Sequence, residues 1–233
     1  MSVIKPFERL SKTKIEISAL ELLRRMQSTP NFPRWPGVAD YAANFLKLSI
    51  DPCCSIPPHN GKPVAARIYP EARLIEINQD LPKIQEDRGF EQSTLAHEIG
   101  HWVLHVNQDE ADGFVEQLEL SLGNEANEQP FLCRNVSEQQ IYKITHKTQD
   151  DWREWQAQYF ASCLLMPRHI LEEKRKNRNL TKWPHLYAMR DELGVTISNL
   201  TNRLKDVGWI HLIDGSGQIY LGKAASDGQT RLF

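Results

Sequence analysis

The feature that most constrains this chain is a His-Glu-x-x-His pattern at residues 97–101. On an α-helix, side chains four residues apart lie on one face, about 6 Å apart along the axis, so His97 and His101 can reach one ion. Two imidazoles and a third protein ligand leave one position of a zinc ion open for water. Glu98 lies between the histidines, where its carboxylate can take a proton from that water as the water attacks a carbonyl carbon. The pattern therefore predicts a metal site on a helix, with Glu98 as general base.

The residues around this pattern favour a helix that is buried on one side. Apolar side chains recur at near-helical spacing, at Leu95, Ile99, Trp102 and Val103. Ser93 or Thr94 is expected to cap the first turn. The alternative is a surface helix with two solvated histidines, because so short a pattern can arise by chance. The apolar face and a second motif later in the chain favour the metal-binding interpretation.

The second motif is a helix expected from Asp150 to Met166 and ended by Pro167. Four residues at helical spacing form one stripe of this helix, namely Glu154, Ala157, Gln158 and Ala161. The two alanines would let the helix approach the histidine helix closely, which would place Glu154 at the metal. The alternative is a core helix with one exposed glutamate. Small residues beside a single Glu, on an otherwise aromatic helix, favour the first interpretation.

With both motifs present, the chain resembles the ImmA/IrrE family of zinc metallopeptidases. The matching pieces are residues 97–101, residues 154–161 and the Leu-Leu-Met-Pro run at 164–167. By its similarity to zincins with a ligand glutamate on a second helix, the chain is expected to hold one Zn²⁺ on His97, His101 and Glu154. The resemblance is specific over about residues 60–167 and weaker before them.

Two positions of the second motif depart from the family pattern, which has Glu where this chain has Gln156 and Asn or Asp where it has Gln158. The latter position normally hydrogen-bonds around the site, so Gln158 is expected to contact a metal ligand. His105 lies two turns beyond the first histidine and is expected to support the site, with a ligand role as the alternative. The zincin pattern with a further Gly and His is excluded, because Leu104 and Asn107 occupy those positions.

The resemblance implies an intracellular peptidase that cuts a protein, often a transcriptional repressor in a stress or mobile-element circuit. One alternative is a regulator that binds metal without turnover and has a C-terminal segment that binds DNA or protein. Glu98 argues against it, because a purely structural zinc needs no acid there. A pure interaction module is a further alternative, and it would need neither Glu98 nor a metal.

Composition indicates where the protein is located and which partners it lacks, but it says little about the reaction. Of the 233 residues, 25% are charged and the net charge is −2, so no overall electrostatic argument favours nucleic acid or an anionic membrane. No run has the length of a signal-peptide core or a bilayer span, so a cytoplasmic protein without a membrane partner is expected. The cysteines lack zinc-site spacing and are expected to be reduced thiols, at Cys53, Cys54, Cys133 and Cys163. The oligomeric state is not predicted.

The expected fold class is α+β. A mainly helical zincin-like metallopeptidase domain with a small β-sheet or hairpin is expected over residues 1–180, and its first 17 residues are expected to be a loosely held arm. The first helix is expected to start at Ser18 as its cap, and residues 51–63 are expected to be a loop. Two strands are predicted at 64–69 and 72–78. They form either a structural hairpin or an exposed edge that holds an extended peptide.

The C-terminal part is expected to be a winged-helix-like segment at 181–225, followed by a tail at 226–233. The pattern predicts two helices separated by a tight turn and then a hairpin. The second of these helices offers only Arg203 and Lys205 against Asp206, so its affinity for phosphate would be poor. A structural or substrate-docking role is therefore favoured over DNA binding, which stays open as the alternative.

Overall fold

The structure is a computed structural model that describes residues 3–53, 55–59, 61–113, 131–134, 148–213 and 217–222. The helices are α1 (Lys12–Met26), α2 (Val38–Phe45), α3 (Pro82–Glu86), α4 (Arg88–His105), α5 (Gln149–Leu165), α6 (Arg168–Lys174), α7 (Trp183–Leu193) and α8 (Ile197–Asp206). The strands are β1 (Ser49–Cys53), β2 (Val64–Tyr69), β3 (Leu74–Asn78), β4 (Phe131–Arg134), β5 (Ile210–Leu212) and β6 (Ile219–Leu221). The α+β class is confirmed. Among the described residues, no helix is long and apolar enough to cross a bilayer.

Strands β1 to β4 form one sheet in the order β1-β3-β2-β4, with β1 parallel to β3 and the other pairs antiparallel. The predicted β2–β3 hairpin is confirmed, and Ile68 lies opposite Ile75 in the core. Because β2 and β3 each have a neighbour on both sides, of the two alternatives the structural hairpin is confirmed and the exposed edge is wrong. The last three residues of strand β1 fall in the stretch 51–63 that was expected to be a loop, so that expectation is wrong for them. Pro52 of β1 is tolerated because an edge strand can do without one N–H on its outer side.

The N-terminal residues are held more firmly than the predicted arm. The backbone N–H of Lys5 donates to the carbonyl of His105 at 2.8 Å, and that of Asn107 donates to Val3 at 2.8 Å. Helix α1 begins at Lys12, because the Ser11 side chain accepts from the first turn. The expected start at Ser18 is therefore wrong, as is the loosely held arm.

The N-cap of helix α4, which carries the histidine pattern, lies six residues before Ser93 and seven before Thr94, the two expected caps. The Asp87 carboxylate accepts a hydrogen bond from the Phe90 N–H at 3.1 Å and caps the helix. Ser93 and Thr94 lie inside the helix, where their hydroxyls donate to the carbonyls four residues earlier, at 2.7 and 2.9 Å. The expectation that one of them is the cap is corrected, and the histidines lie in the buried middle of a longer helix.

Helices α4 and α5 pack against each other at close range, and Gly100 of α4 makes this possible. A Cβ atom at Gly100 would lie 2.7 Å from the Ala157 carbonyl oxygen and 2.9 Å from its Cα. Both are backbone atoms of α5, which cannot move without shifting the helix. Ala157 and Ala161 are buried, as the predicted close approach requires. No local pattern indicated that position 100 needs glycine, because the atoms that exclude a Cβ belong to another helix.

We expect Gly100→Ala to destabilise the protein and weaken metal binding together. The clash adds about 1–3 kcal/mol of overpacking strain, which exceeds the gain in helix propensity of about 1 kcal/mol. The matched control is Gly113→Ala, because a Cβ there meets nothing within 4 Å. Denaturant unfolding and a metal titration of both variants would check this; equal stability and affinity in the two would contradict it.

The C-terminal segment contains the predicted elements: α7, a turn at Gly194 with φ 66°, α8, and the antiparallel pair β5–β6. Arg203 of α8 is fully buried, however, and donates to the Met166 carbonyl at 3.1 Å and to Glu16 at 2.6 Å. Its expected availability to phosphate is wrong. The contacts tie this segment to α1 and α5. The domain boundary at residue 180 and the winged-helix interpretation stay predictions.

Candidate metal centre

Three candidate ligand atoms converge between α4 and α5. The Nε2 atoms of His97 and His101 are 3.0 Å apart. The Glu154 carboxylate places one oxygen 3.2 Å from His97 Nε2 and the other 3.3 Å from His101 Nε2. Within the described ranges, no other group of three His, Cys, Asp or Glu side chains is arranged to hold a metal. The tertiary structure thus brings together the two residues of the first motif and the one carboxylate predicted from the second.

These distances fit a tetrahedral metal site. Zinc–nitrogen bonds of about 2.0–2.1 Å imply ligand atoms about 3.3 Å apart at the corners of a tetrahedron. When both nitrogens are unprotonated, their lone pairs and the carboxylate converge on one point, and a cation bound there would offset the repulsion between them. The side chains of His97 and His101 are 2% and 0% exposed, whereas that of Glu154 is 29% exposed. The fourth position would therefore face solvent on the Glu154 side, where water or a substrate oxygen can enter.

Burial and the neighbouring charges shift the pKa values of all three candidate ligands. Burial raises the pKa of Glu154, but the charges and hydrogen bonds of His101 and His97 outweigh it and hold that pKa well below its usual range. Burial lowers the pKa of His101. At His97 the effect of burial is overcome by the hydrogen bond and charge of Glu154 and by the charge of Glu98, which leave its pKa raised. Metal binding needs the Glu154 carboxylate and two neutral imidazoles, so an ion must displace the proton that the raised pKa favours on His97.

The expected supporting residues lie behind the histidines. Gln158 Oε1 is 3.2 Å from His97 Nδ1, so the longer side chain at this family position still reaches its ligand. His105 Nδ1 is 3.1 Å from His101 Nδ1, and His105 is not among the converging ligand atoms. Burial, together with the charge of His101, lowers the pKa of His105 to about 3. His105 thus contacts the candidate ligand His101 and does not itself belong to the group of atoms that could hold a metal.

One residue at this site was missed by sequence reasoning. Gln156, noted only as a departure from the family pattern, is fully buried, and its Oε1 lies 2.9 Å from His105 Nε2. The departure from the family pattern was the only sign in the sequence that Gln156 has a role at the site, because its partner His105 lies 51 residues away in sequence. Glu98 is fully buried on α4 and acts electrostatically on His97. The polar layer behind the two histidines is therefore formed by Gln158, His105 and Gln156.

Among the described residues, Asp109, Asp112 and Cys163 do not contribute to the converging ligand atoms. Asp109 is exposed, and Asp112 pairs with Arg73. Cys54 lies outside the described residues. Cys163 is a free, buried thiol, and burial raises its pKa to about 12, so it is not a reactive thiolate.

Two histidines four residues apart on one helix, with a glutamate from a second helix, match the ligand set of zincin-type metallopeptidases. The peptidase M78 family model, described as the IrrE N-terminal-like domain, matches residues 54–205. The chain belongs to this family, which confirms the resemblance seen in the two motifs. A search of curated proteins finds no match to the chain.

Proposed function

We propose that this chain is a zinc-dependent endopeptidase that hydrolyses a peptide bond in a protein substrate. The observation that carries the proposal is the spacing of 3.0–3.3 Å among the ligand atoms of His97, His101 and Glu154. Borderline-soft nitrogen ligands with one carboxylate suit zinc better than magnesium or calcium, which prefer oxygen ligands. Membership of a peptidase family supports the same reaction.

In this mechanism the protein supplies orientation and a base. His97, His101 and Glu154 would hold the ion, and when bound, zinc supplies a Lewis acid that polarises the scissile carbonyl and acidifies water. Glu98 takes the proton of the attacking water as its oxygen adds to the carbonyl carbon. Glu98 then passes that proton to the departing amine nitrogen, so that the C–N bond breaks without releasing an anion.

The full burial of Glu98 supports catalysis over a metal-binding regulator without turnover. Burying a carboxylate is costly, and a structural zinc site gains nothing from an acid at this position. For the substrate we propose a transcriptional repressor of a stress or mobile-element circuit, following the family resemblance. The burial of Arg203 speaks against DNA binding by α8 and favours a docking or structural role for the C-terminal segment.

The metal site is tested by Glu154→Ala. We expect the wild-type protein to bind one zinc ion and the variant to lose most of it at the same free zinc concentration, since one of three protein ligands is gone. Metal content after dialysis against a zinc buffer measures this. Asp109→Ala is the matched control, because it removes an exposed carboxylate near the end of α4.

The expected contrast is full zinc occupancy in Asp109→Ala and low occupancy in Glu154→Ala. Circular dichroism of both variants separates loss of a ligand from loss of the fold. Equal zinc content in the two folded variants, or a wild-type protein that binds no zinc, would overturn the proposed site.

A further inference from the structure

The N-terminal strap, defined as residues 3–9, crosses the end of α4 and runs over α5. At α4 it pairs with the backbone of residues 105–107. At α5, the Arg153 side chain donates to the Lys5 carbonyl at 3.3 Å, and the Gln156 Nε2 donates to the Glu8 carbonyl at 2.9 Å. The strap therefore meets the layer of polar side chains that supports the candidate metal centre.

A continuous chain of hydrogen bonds leads from this strap to a metal ligand. Gln156 contacts the Glu8 carbonyl through Nε2 and His105 through Oε1, at 2.9 Å in each case. The other nitrogen of His105 lies 3.1 Å from Nδ1 of His101. The three side chains in this series are buried, so water does not compete readily for these contacts.

The Glu8 carbonyl determines which atom donates and which accepts in each of these hydrogen bonds. The Glu8 carbonyl can only accept, so Gln156 turns its NH₂ group toward it and its oxygen toward His105. That oxygen can only accept, so the proton of a neutral His105 is on Nε2 and its lone pair is on Nδ1. His101 must then donate from Nδ1. The lone pair of His101 is consequently on Nε2, the atom that faces His97.

The metal end of the series requires the same arrangement. An ion bound at His101 Nε2 needs the lone pair of that atom, so the proton of His101 must be on Nδ1. His101 then donates from Nδ1 to His105 Nδ1, which can accept only while the proton of the His105 ring is on Nε2.

We propose that His105 and Gln156 are positioning residues, which hold His101 in the Nδ1–H tautomer and take their direction from the backbone carbonyl of Glu8. The inference rests on the proposed function, because it assigns these residues a role at the same metal site. It gives the N-terminal strap a part in metal binding, although no strap residue is a ligand.

The first test is nitrogen-15 NMR of the histidine rings in the metal-free, full-length protein at mildly alkaline pH. We expect His101 to be protonated on Nδ1 and His105 on Nε2. In His105→Leu, which removes the acceptor, His101 should become a mixture of both tautomers. A wild-type His101 protonated on Nε2, or a His101 signal unchanged in His105→Leu, would overturn the inference.

The second test is zinc affinity, measured by competition with a chromophoric chelator. Loss of such an outer hydrogen bond typically weakens metal binding about 10–100-fold, so we expect that loss in His105→Leu and in Gln156→Met. His105→Asn should recover most of the affinity, since its amide oxygen can occupy the position of Nδ1. Glu8→Ala is the control, because it removes an exposed side chain and keeps the carbonyl.

The outcomes of these tests distinguish failure of the positioning role from failure of the proposed zinc peptidase function. If the wild-type protein binds no zinc, the proposed function fails, while the tautomers in the metal-free protein still test the hydrogen-bond series. If zinc binds equally well to wild type and to folded His105→Leu, the inference fails and the proposed function stands. Failure of His105→Asn to recover affinity would also reject the positioning role.

Discussion

Replacing Glu98 with Gln is expected to lower the rate of peptide hydrolysis by about 10²–10⁴-fold, the usual contribution of a general base. Gln has nearly the same size and cannot accept the proton of the attacking water. The ligands His97, His101 and Glu154 are untouched, so zinc content should stay within error of wild type. The measurement pairs metal analysis of the purified protein with a proteome comparison in cells, where an uncut substrate should accumulate in the Glu98→Gln strain.

The matched control is Glu91→Gln, the same substitution on the same helix. Glu91 is partly buried, and burial and the charge of Asp40 raise its pKa, so it belongs to a different environment from the metal centre. This variant should cut the substrate as wild type does. Full activity of Glu98→Gln with zinc still bound would favour the regulator without turnover.

The largest effect on stability is expected for Arg203→Met. Breaking a buried ion pair from one side typically costs about 3–5 kcal/mol, and we expect about 3 kcal/mol because Arg168 still contacts Glu16 at 2.9 Å. The variant loses the bonds of Arg203 to Glu16 and to the Met166 carbonyl. At about 2–4 °C per kcal/mol for a chain of this size, the midpoint of thermal unfolding should fall by about 6–12 °C.

Lys205→Met on the same helix is the control, because its side chain is exposed and its removal should change stability by less than about 0.5 kcal/mol. The double variant Arg203→Met with Glu16→Leu should be more stable than the additive sum of the single changes, since no unpaired carboxylate is left. Denaturant unfolding of wild type, the two single variants and the double variant measures the coupling. Equal stability of Arg203→Met and Lys205→Met would show that the buried contacts contribute little.

The role of Glu98 could be predicted from the sequence, whereas the role of Arg203 could not. The spacing of His97, Glu98 and His101 is a local property, because a helix alone decides which side chains share a face. The role of Arg203 is not local. Its partners lie 37 and 187 residues away, and a basic residue on a polar-looking helix offered no sign of full burial.

Errors at the ends of elements have a similar origin. Several residues near each helix could act as caps, and the choice between Asp87 and Ser93 depends on where the preceding chain is held. Strand β1 was missed because its sequence, Ser-Ile-Asp-Pro-Cys, has low intrinsic strand propensity. Its pairing with β3, which begins 25 residues further along, supplies what the local sequence lacks.

The sequence by itself determined the ligand types, their helical faces and the family, because these depend on short-range spacing that any helix enforces. Only the tertiary structure decided that α4 and α5 approach closely enough for Glu154 to meet both imidazoles, with Gly100 against Ala157. It also decided which polar groups stand behind the ligands. Distances between helices and the direction of buried hydrogen bonds arise from packing between residues far apart in the chain, and no local pattern encodes them.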